Sequence, residues 1–124
     1  MKLEVGTHVR TKYGIFKIRK ITKDLAYWKH EKRVIELDRN IPEYNYRYSF
    51  YKDESIFKGA KFKDNIIDLI EVGDYVNGYK VDFVQNNEII YNHNHPYKLN
   101  LFAKGIKSIV TKEQFESMSY KVGE

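Results

Sequence analysis

Leu3-Glu4-Val5-Gly6-Thr7-His8-Val9 recurs as Ile70-Glu71-Val72-Gly73-Asp74-Tyr75-Val76. Each copy is an apolar residue, then Glu-Val-Gly, two variable positions and Val. The copies stand about half a chain apart, so duplication, or convergence on one small β-module, is the reading that organises the rest of the sequence. Val-Gly-x-x-Val suits the start of a strand at a point where glycine permits a bulge or sharp bend. Each copy then reaches a turn, Tyr13-Gly14 in the first and Asn77-Gly78 in the second, the first after three extra residues, Arg10-Thr11-Lys12. Asn77-Gly78 is the strongest hairpin signal in the chain, because both central residues of a type I′ turn need positive φ.

Outward from these turns the pattern stays β. Ile15–Thr22, Ala26–Lys29 and Arg33–Leu37 read as strands, with a polar turn at His30-Glu31-Lys32, and Ile41-Pro42 breaks the chain. Tyr44 to Phe50 alternates, with Tyr44, Tyr46, Tyr48 and Phe50 expected on a core face and Asn45, Arg47 and Ser49 opposite. Asp64–Ile70 predicts a short capped helical turn. Strands follow near 79–85, 88–92, 97–102 and 106–110, with Tyr75, Tyr79, Phe83 and Tyr91 expected in the core. Thr111-Lys112-Glu113-Gln114 has the form of a capping box, with Phe115 and Met118 anchoring a short helix before a last strand at Ser119–Val122. The expected fold is mostly β: two small SH3-like or β-barrel modules in tandem, residues 1–63 and 64–124, closely packed, with one or two short helices. The likeness to SH3-like barrels is one of pattern, Gly-strand-Gly turn-strand, in halves of suitable size.

Composition narrows the functions available. The 124 residues are 42% hydrophobic and 31% charged, the balance of a folded chain rather than a disordered one. No apolar run is long enough for a membrane helix, the N-terminus lacks a signal-peptide core, and a cytoplasmic location is expected. The absence of cysteine excludes disulfides, thiolate zinc sites and cysteine nucleophiles. Gly-rich phosphate loops, nucleophile elbows and His-Glu-x-x-His are also missing, so no enzyme and no cofactor is expected. His93-Asn94-His95 offers two imidazoles without a third ligand nearby and reads as a turn, so no metal site is assigned.

The net charge of +5 is unevenly placed. Residues 1–62 carry 15 Lys+Arg against 8 Asp+Glu, and residues 63–124 carry 7 against 9. A localised positive field draws phosphates, although strand lysines also serve solubility and edge protection. Aromatic rings lie among these bases, and stacking on rings with phosphates held by Arg and Lys is a nucleotide-binding chemistry. Arg10, Lys12, Arg33 and Arg47 are the candidate phosphate grips, Tyr13 and Trp28 the candidate stacking rings, and Asn92 and His93 a polar lip to a pocket. A small barrel has little interior, so the pocket is expected between the modules or at a homodimer interface.

Asn65–Val81 (NIIDLIEVGDYVNGYKV), Ile106–Phe115 (IKSIVTKEQF), Tyr120-Lys121-Val122 and the opening from Val5-Gly6 to Tyr13-Gly14 resemble small proteins of clostridial and related Firmicutes phages and mobile elements. The resemblance brings no catalytic motif, so no functional residue is carried over. It implies a setting in the host cytoplasm, where small phage proteins counteract antiviral immunity. In that setting the expected partner is a nucleotide second messenger, a cyclic ADP-ribose isomer or cyclic oligonucleotide, or another phosphorylated ligand. RNA, DNA or a host defence protein of the CRISPR type is the alternative, and a homodimer or higher oligomer is expected.

Overall fold

The computed structural model describes residues 3–24, 32–85, 88–91, 99–101 and 105–118. The expected strands at Ala26–Lys29 and Ser119–Val122, the turn residues His30 and Glu31, and the site candidates Trp28, Asn92 and His93 lie outside these residues.

The fold is mostly β. Among the described residues two antiparallel five-stranded sheets carry it, with one short α-helix. In the first sheet β1 (His8–Thr11), β2 (Gly14–Asp24), β3 (Lys32–Ile41), β4 (Arg47–Tyr51) and β5 (Lys61–Lys63) take the order β4-β3-β2-β1-β5. In the second, β6 (Tyr75–Val76), β7 (Tyr79–Gln85), β8 (Glu88–Tyr91), β9 (Leu99–Leu101) and β10 (Ile109–Val110) take the order β10-β6-β7-β8-β9. Among the described residues both sheets keep two open edges, so the expected barrel closure is replaced by open sheets. The chain divides into a first unit, Met1–Thr11 with Ile15–Asp64, and a second, Asn65–Glu124 with the hairpin tip Lys12–Gly14.

The duplicated heptapeptide is duplicated in its bonds. Gly6 and Gly73 adopt φ of 95° and 97°. The amide of Thr7 donates to the Glu4 carbonyl and that of Asp74 to the Glu71 carbonyl, each at 3.1 Å. The next strand closes each turn the same way: Gly6 N–H to Ile18 O and Ile18 N–H to Thr7 O in one copy, Gly73 N–H to Val81 O and Val81 N–H to Asp74 O in the other. Val9, Val76, Ile18 and Val81 are all fully buried, while Val5 and Val72 are exposed. The turns of the two hairpins sit on Lys12–Tyr13 and Asn77–Gly78. The first turn therefore lies one residue earlier than Tyr13-Gly14. Its leading arm, His8–Thr11, has four residues where Tyr75–Val76 has two. Lengthening a strand by two residues leaves every side chain on its original face, which is why the two copies keep one core pattern.

Asn77 and Gly78 take φ of 52° and 84°, as a type I′ turn requires. The Asn77 side chain also binds Gly105 O, Lys107 N and Ser108 N, so one turn residue holds the approach to β10. The capping box forms reciprocally: Thr111 N–H donates to Gln114 Oε1 at 3.0 Å and Gln114 N–H to Thr111 Oγ1 at 3.2 Å, opening α1 (Lys112–Met118). Asn65 caps the 3-10 turn Ile66–Leu69 by accepting from Ile67 N–H.

The Tyr44–Phe50 strand is shorter than alternation predicts. Pro42–Tyr44 forms a 3-10 turn, Asn45 and Tyr46 are left-handed, and β4 starts only at Arg47. Phe50 is buried but Tyr46 and Tyr48 are 69% and 40% exposed, so these two tyrosines are not core. Phe50 instead belongs to an aromatic series, edge-on to Tyr44 at 5.2 Å and to Phe57 at 6.2 Å. In the second unit Tyr79 and Phe83 are also exposed rather than core, and Tyr75 stacks on Phe115 with centroids 4.8 Å apart. A register shift between Val81 and Phe83 accounts for part of this, because a bulge resets which side of β7 faces inward.

Candidate functional site

The strand register of the first unit decides which bases meet. Ile21 pairs with Ile35 and Ile35 with Phe50, which makes one apolar row across β2, β3 and β4. The next row is Thr22, Val34 and Tyr51. The row after that is Lys23 opposite Arg33, with Arg33 in turn opposite Lys52, whose amide donates to the Arg33 carbonyl at 2.9 Å. Two steps along a strand return to the same face, so the three cations share the face of the Ile21–Ile35–Phe50 row and lie just beyond its end. All three are exposed. Neighbouring strands are about 4.8 Å apart, so the row sets three positive charges across about 10 Å. Like charges directly opposite each other disfavour the pairing, by a few tenths of a kcal/mol to about 1 kcal/mol.

Two contacts lie beside this row. The Lys52 ammonium lies 4.9 Å from the centroid of Phe62, whose ring is 5.8 Å from that of Phe57 and so extends the aromatic series. The neighbouring Lys32, one step along β3 and so on the opposite face, pairs with Asp53 at 3.7 Å and lies over Tyr51. Asp53 is thus directed to the other face. Arg33 makes no hydrogen bond or ion pair through its side chain among the described residues.

The other sequence candidates are dispersed. Arg10 is buried to 5% exposure on β1, opposite Lys61, and a grip on an external phosphate is not its present environment. Arg47 is exposed, but one guanidinium nitrogen donates to both oxygens of Glu54 at 3.0 Å while the group lies over Phe50. Glu54 also accepts from Tyr51 N–H, so Arg47 ties the start of β4 to the turn after it. Arg33 and Arg47 stand at opposite ends of the β3–β4 pairing. Lys12 and Tyr13 do meet, the ammonium 5.1 Å over the ring, on the tip that belongs to the second unit.

Lys23 and Lys52 are the residues that sequence reasoning did not single out. Lys23 was discoverable once Asp24 and Lys32 are taken as the last pair of a hairpin. Lys52 was not, because its place depends on an irregular register between Glu36 and Ile41. At the far end of β4, Arg19 lies between Glu36 at 2.8 Å and the Tyr48 ring at 5.4 Å. The hydrogen bond and charge of Glu36 push the Arg19 pKa above its ordinary value. No group of three or more His, Asp and Glu able to hold a metal occurs among the described residues, and none of their helices is long and apolar enough to cross a membrane. Compared with known protein families, curated proteins and solved structures, the chain gives no match.

Proposed function

We propose that this protein is a non-catalytic binder of a phosphate-bearing ligand, gripped by Lys23, Arg33 and Lys52. The observation that carries the reading is the in-register row of three exposed cations on adjacent strands. Arg supplies a planar fork to one phosphate while the lysines act as point charges on its neighbours. Exposure of all three favours a ligand lying across the sheet end over one enclosed in a cavity. In the setting implied by the likeness to phage and mobile-element proteins, such binding would withhold a nucleotide signal or a nucleic acid from a host defence effector.

Calorimetric titration tests the reading with inorganic polyphosphate, cyclic dinucleotides, ADP-ribose isomers and short oligonucleotides. The wild-type protein is expected to bind at least one phosphate-rich ligand, and K23E/R33E/K52E to bind it at least a hundredfold more weakly. Equal affinity in the triple variant overturns the assignment of the row. Fixed one-to-one binding of a cyclic nucleotide, with no binding of polymers, would instead identify a sequestered signal.

A further inference from the structure

Tyr46 is an exposed aromatic ring on a backbone that L side chains seldom adopt. Its φ is 60°, directly after Asn45 at 59°. Asn45 has a reason for that conformation: its amide closes the 3-10 turn onto the Pro42 carbonyl at 3.0 Å, and asparagine tolerates the left-handed region. Tyrosine does not share that tolerance. The ring recovers nothing from the fold, since it is 69% exposed and makes no ring contact or hydrogen bond among the described residues. Two residues on, Tyr48 is 40% exposed and has the Arg19 guanidinium over its ring. A guanidinium on one face of a tyrosine leaves the other face for a second planar group. Local strain held at a solvent-facing aromatic is the pattern of a residue presented to a partner.

Position along the sheet says which partner. β4 is an edge strand, with Tyr46 and Tyr48 at its beginning and Lys52 directly after its end. Four residue steps lead from Tyr48 to Lys52, about 13 Å. A flexible chain that follows this edge past Tyr46 and Tyr48 to Lys52, then turns across the sheet end, would meet two ring surfaces and then three cations. Planar rings and phosphates in repeated alternation are the chemistry of a single-stranded nucleic acid, whose bases stack on aromatic side chains without sequence preference. We infer that the β4 edge is a single-strand nucleic-acid track, with Tyr46 and Tyr48 stacking on bases and the Lys23–Arg33–Lys52 row holding the phosphates. The track rests on the phosphate-binding reading of that row and adds the base contacts to it.

The test compares an eight-nucleotide oligothymidylate with inorganic polyphosphate of matched charge. Wild-type protein is expected to bind the oligonucleotide at least tenfold more tightly, with a slope of about −2 in log K against log salt for three phosphate contacts. Y46A and Y48A should each weaken the oligonucleotide about tenfold and leave polyphosphate unchanged. Y46G supplies a control on folding: glycine relieves the left-handed strain, so its thermal midpoint should rise while its oligonucleotide affinity falls. If all three variants bind oligothymidylate as the wild type does, while polyphosphate still binds, the track is overturned and the row stands. If K23E/R33E/K52E leaves polyphosphate binding intact, or the wild type binds neither probe, the row itself is wrong and the track falls with it.

Discussion

The turns at Leu3–Val9 and Ile70–Val76 share a backbone but differ in one polar residue. Thr7 and Asp74 occupy the same position, are almost wholly buried, and each accepts from the amide three residues earlier. Threonine has one side-chain oxygen, and its bond to Glu4 N–H is 3.3 Å long. Aspartate has two, and uses Oδ2 for Glu71 N–H at 2.8 Å and Oδ1 for Lys112 N–H at 2.9 Å. The second oxygen brings the first residue of α1 onto the turn, and Lys112 returns an ion pair to Glu71 at 2.8 Å. One side chain thus separates a hairpin that stands as a turn from one that also carries a helix. The heptapeptide is scaffold in both units, and the candidate binding residues of the first unit lie outside it.

Removing the side chain at that position should separate the copies most sharply. In D74A two amides lose charge-assisted hydrogen bonds in a buried site, which costs about 3–5 kcal/mol. T7A loses one long neutral bond and should cost about 1 kcal/mol. D74N, with a single acceptor oxygen, falls between them. Urea unfolding of the full chain measures all three. Equal losses for D74A and T7A would show that the second oxygen does not anchor α1.

The tip of the first hairpin gives the next largest effect. Gly14 has φ of 129°, and a Cβ there would stand 2.9 Å from Cδ and Oε1 of Gln114. Gln114 Oε1 is already bonded to Thr111 N–H, so it cannot swing away without opening the capping box. G14A therefore combines backbone strain with a lost cap, together about 2 kcal/mol. In the second hairpin the corresponding first residue of the returning arm is Tyr79, which is 46% exposed. Y79A should be within about 0.5 kcal/mol of wild type, as exposed substitutions usually are. Adding Q114A to G14A tests the contact itself: the pair should cost less than the sum of the singles, and strict additivity would leave the strain as the whole effect.

These contrasts also explain what could be read from the residues. Asn77-Gly78 and Thr111–Gln114 were legible because each is a local device, completed within four residues whatever surrounds it. The duplicated turn was legible for the same reason. Misreadings arose where a side chain's face depends on distant register. Tyr46 and Tyr48 belong to a perfect alternating pattern, but Pro42 starts a 3-10 turn that delays β4 until Arg47. Tyr79 and Phe83 alternate just as well and still face solvent. The charge of Arg10 is visible in the sequence, and its burial is not. Arg33 was found by charge alone, whereas Lys52 became its neighbour only through the pairing of β3 with β4.

Substituting the shared glycines is the finest test of the likeness between the copies. Gly6 and Gly73 differ by only two degrees in φ, 95° against 97°. Their surroundings differ: a Cβ at Gly6 meets nothing within 4 Å, and one at Gly73 meets Lys112 Cδ at 3.6 Å and Cβ at 3.8 Å. Those distances are ordinary van der Waals contact, so they add no clash. The cost of alanine at both sites is then the cost of placing an L residue in a left-handed conformation, about 1 kcal/mol each. G6A and G73A should shift the urea midpoint by amounts equivalent to the same free energy within about 0.3 kcal/mol. A G73A loss twice that of G6A would mean that the packed helix, rather than the backbone, governs the second turn. The two copies would then share a sequence pattern and a hydrogen-bond scheme without sharing the energetics that hold them.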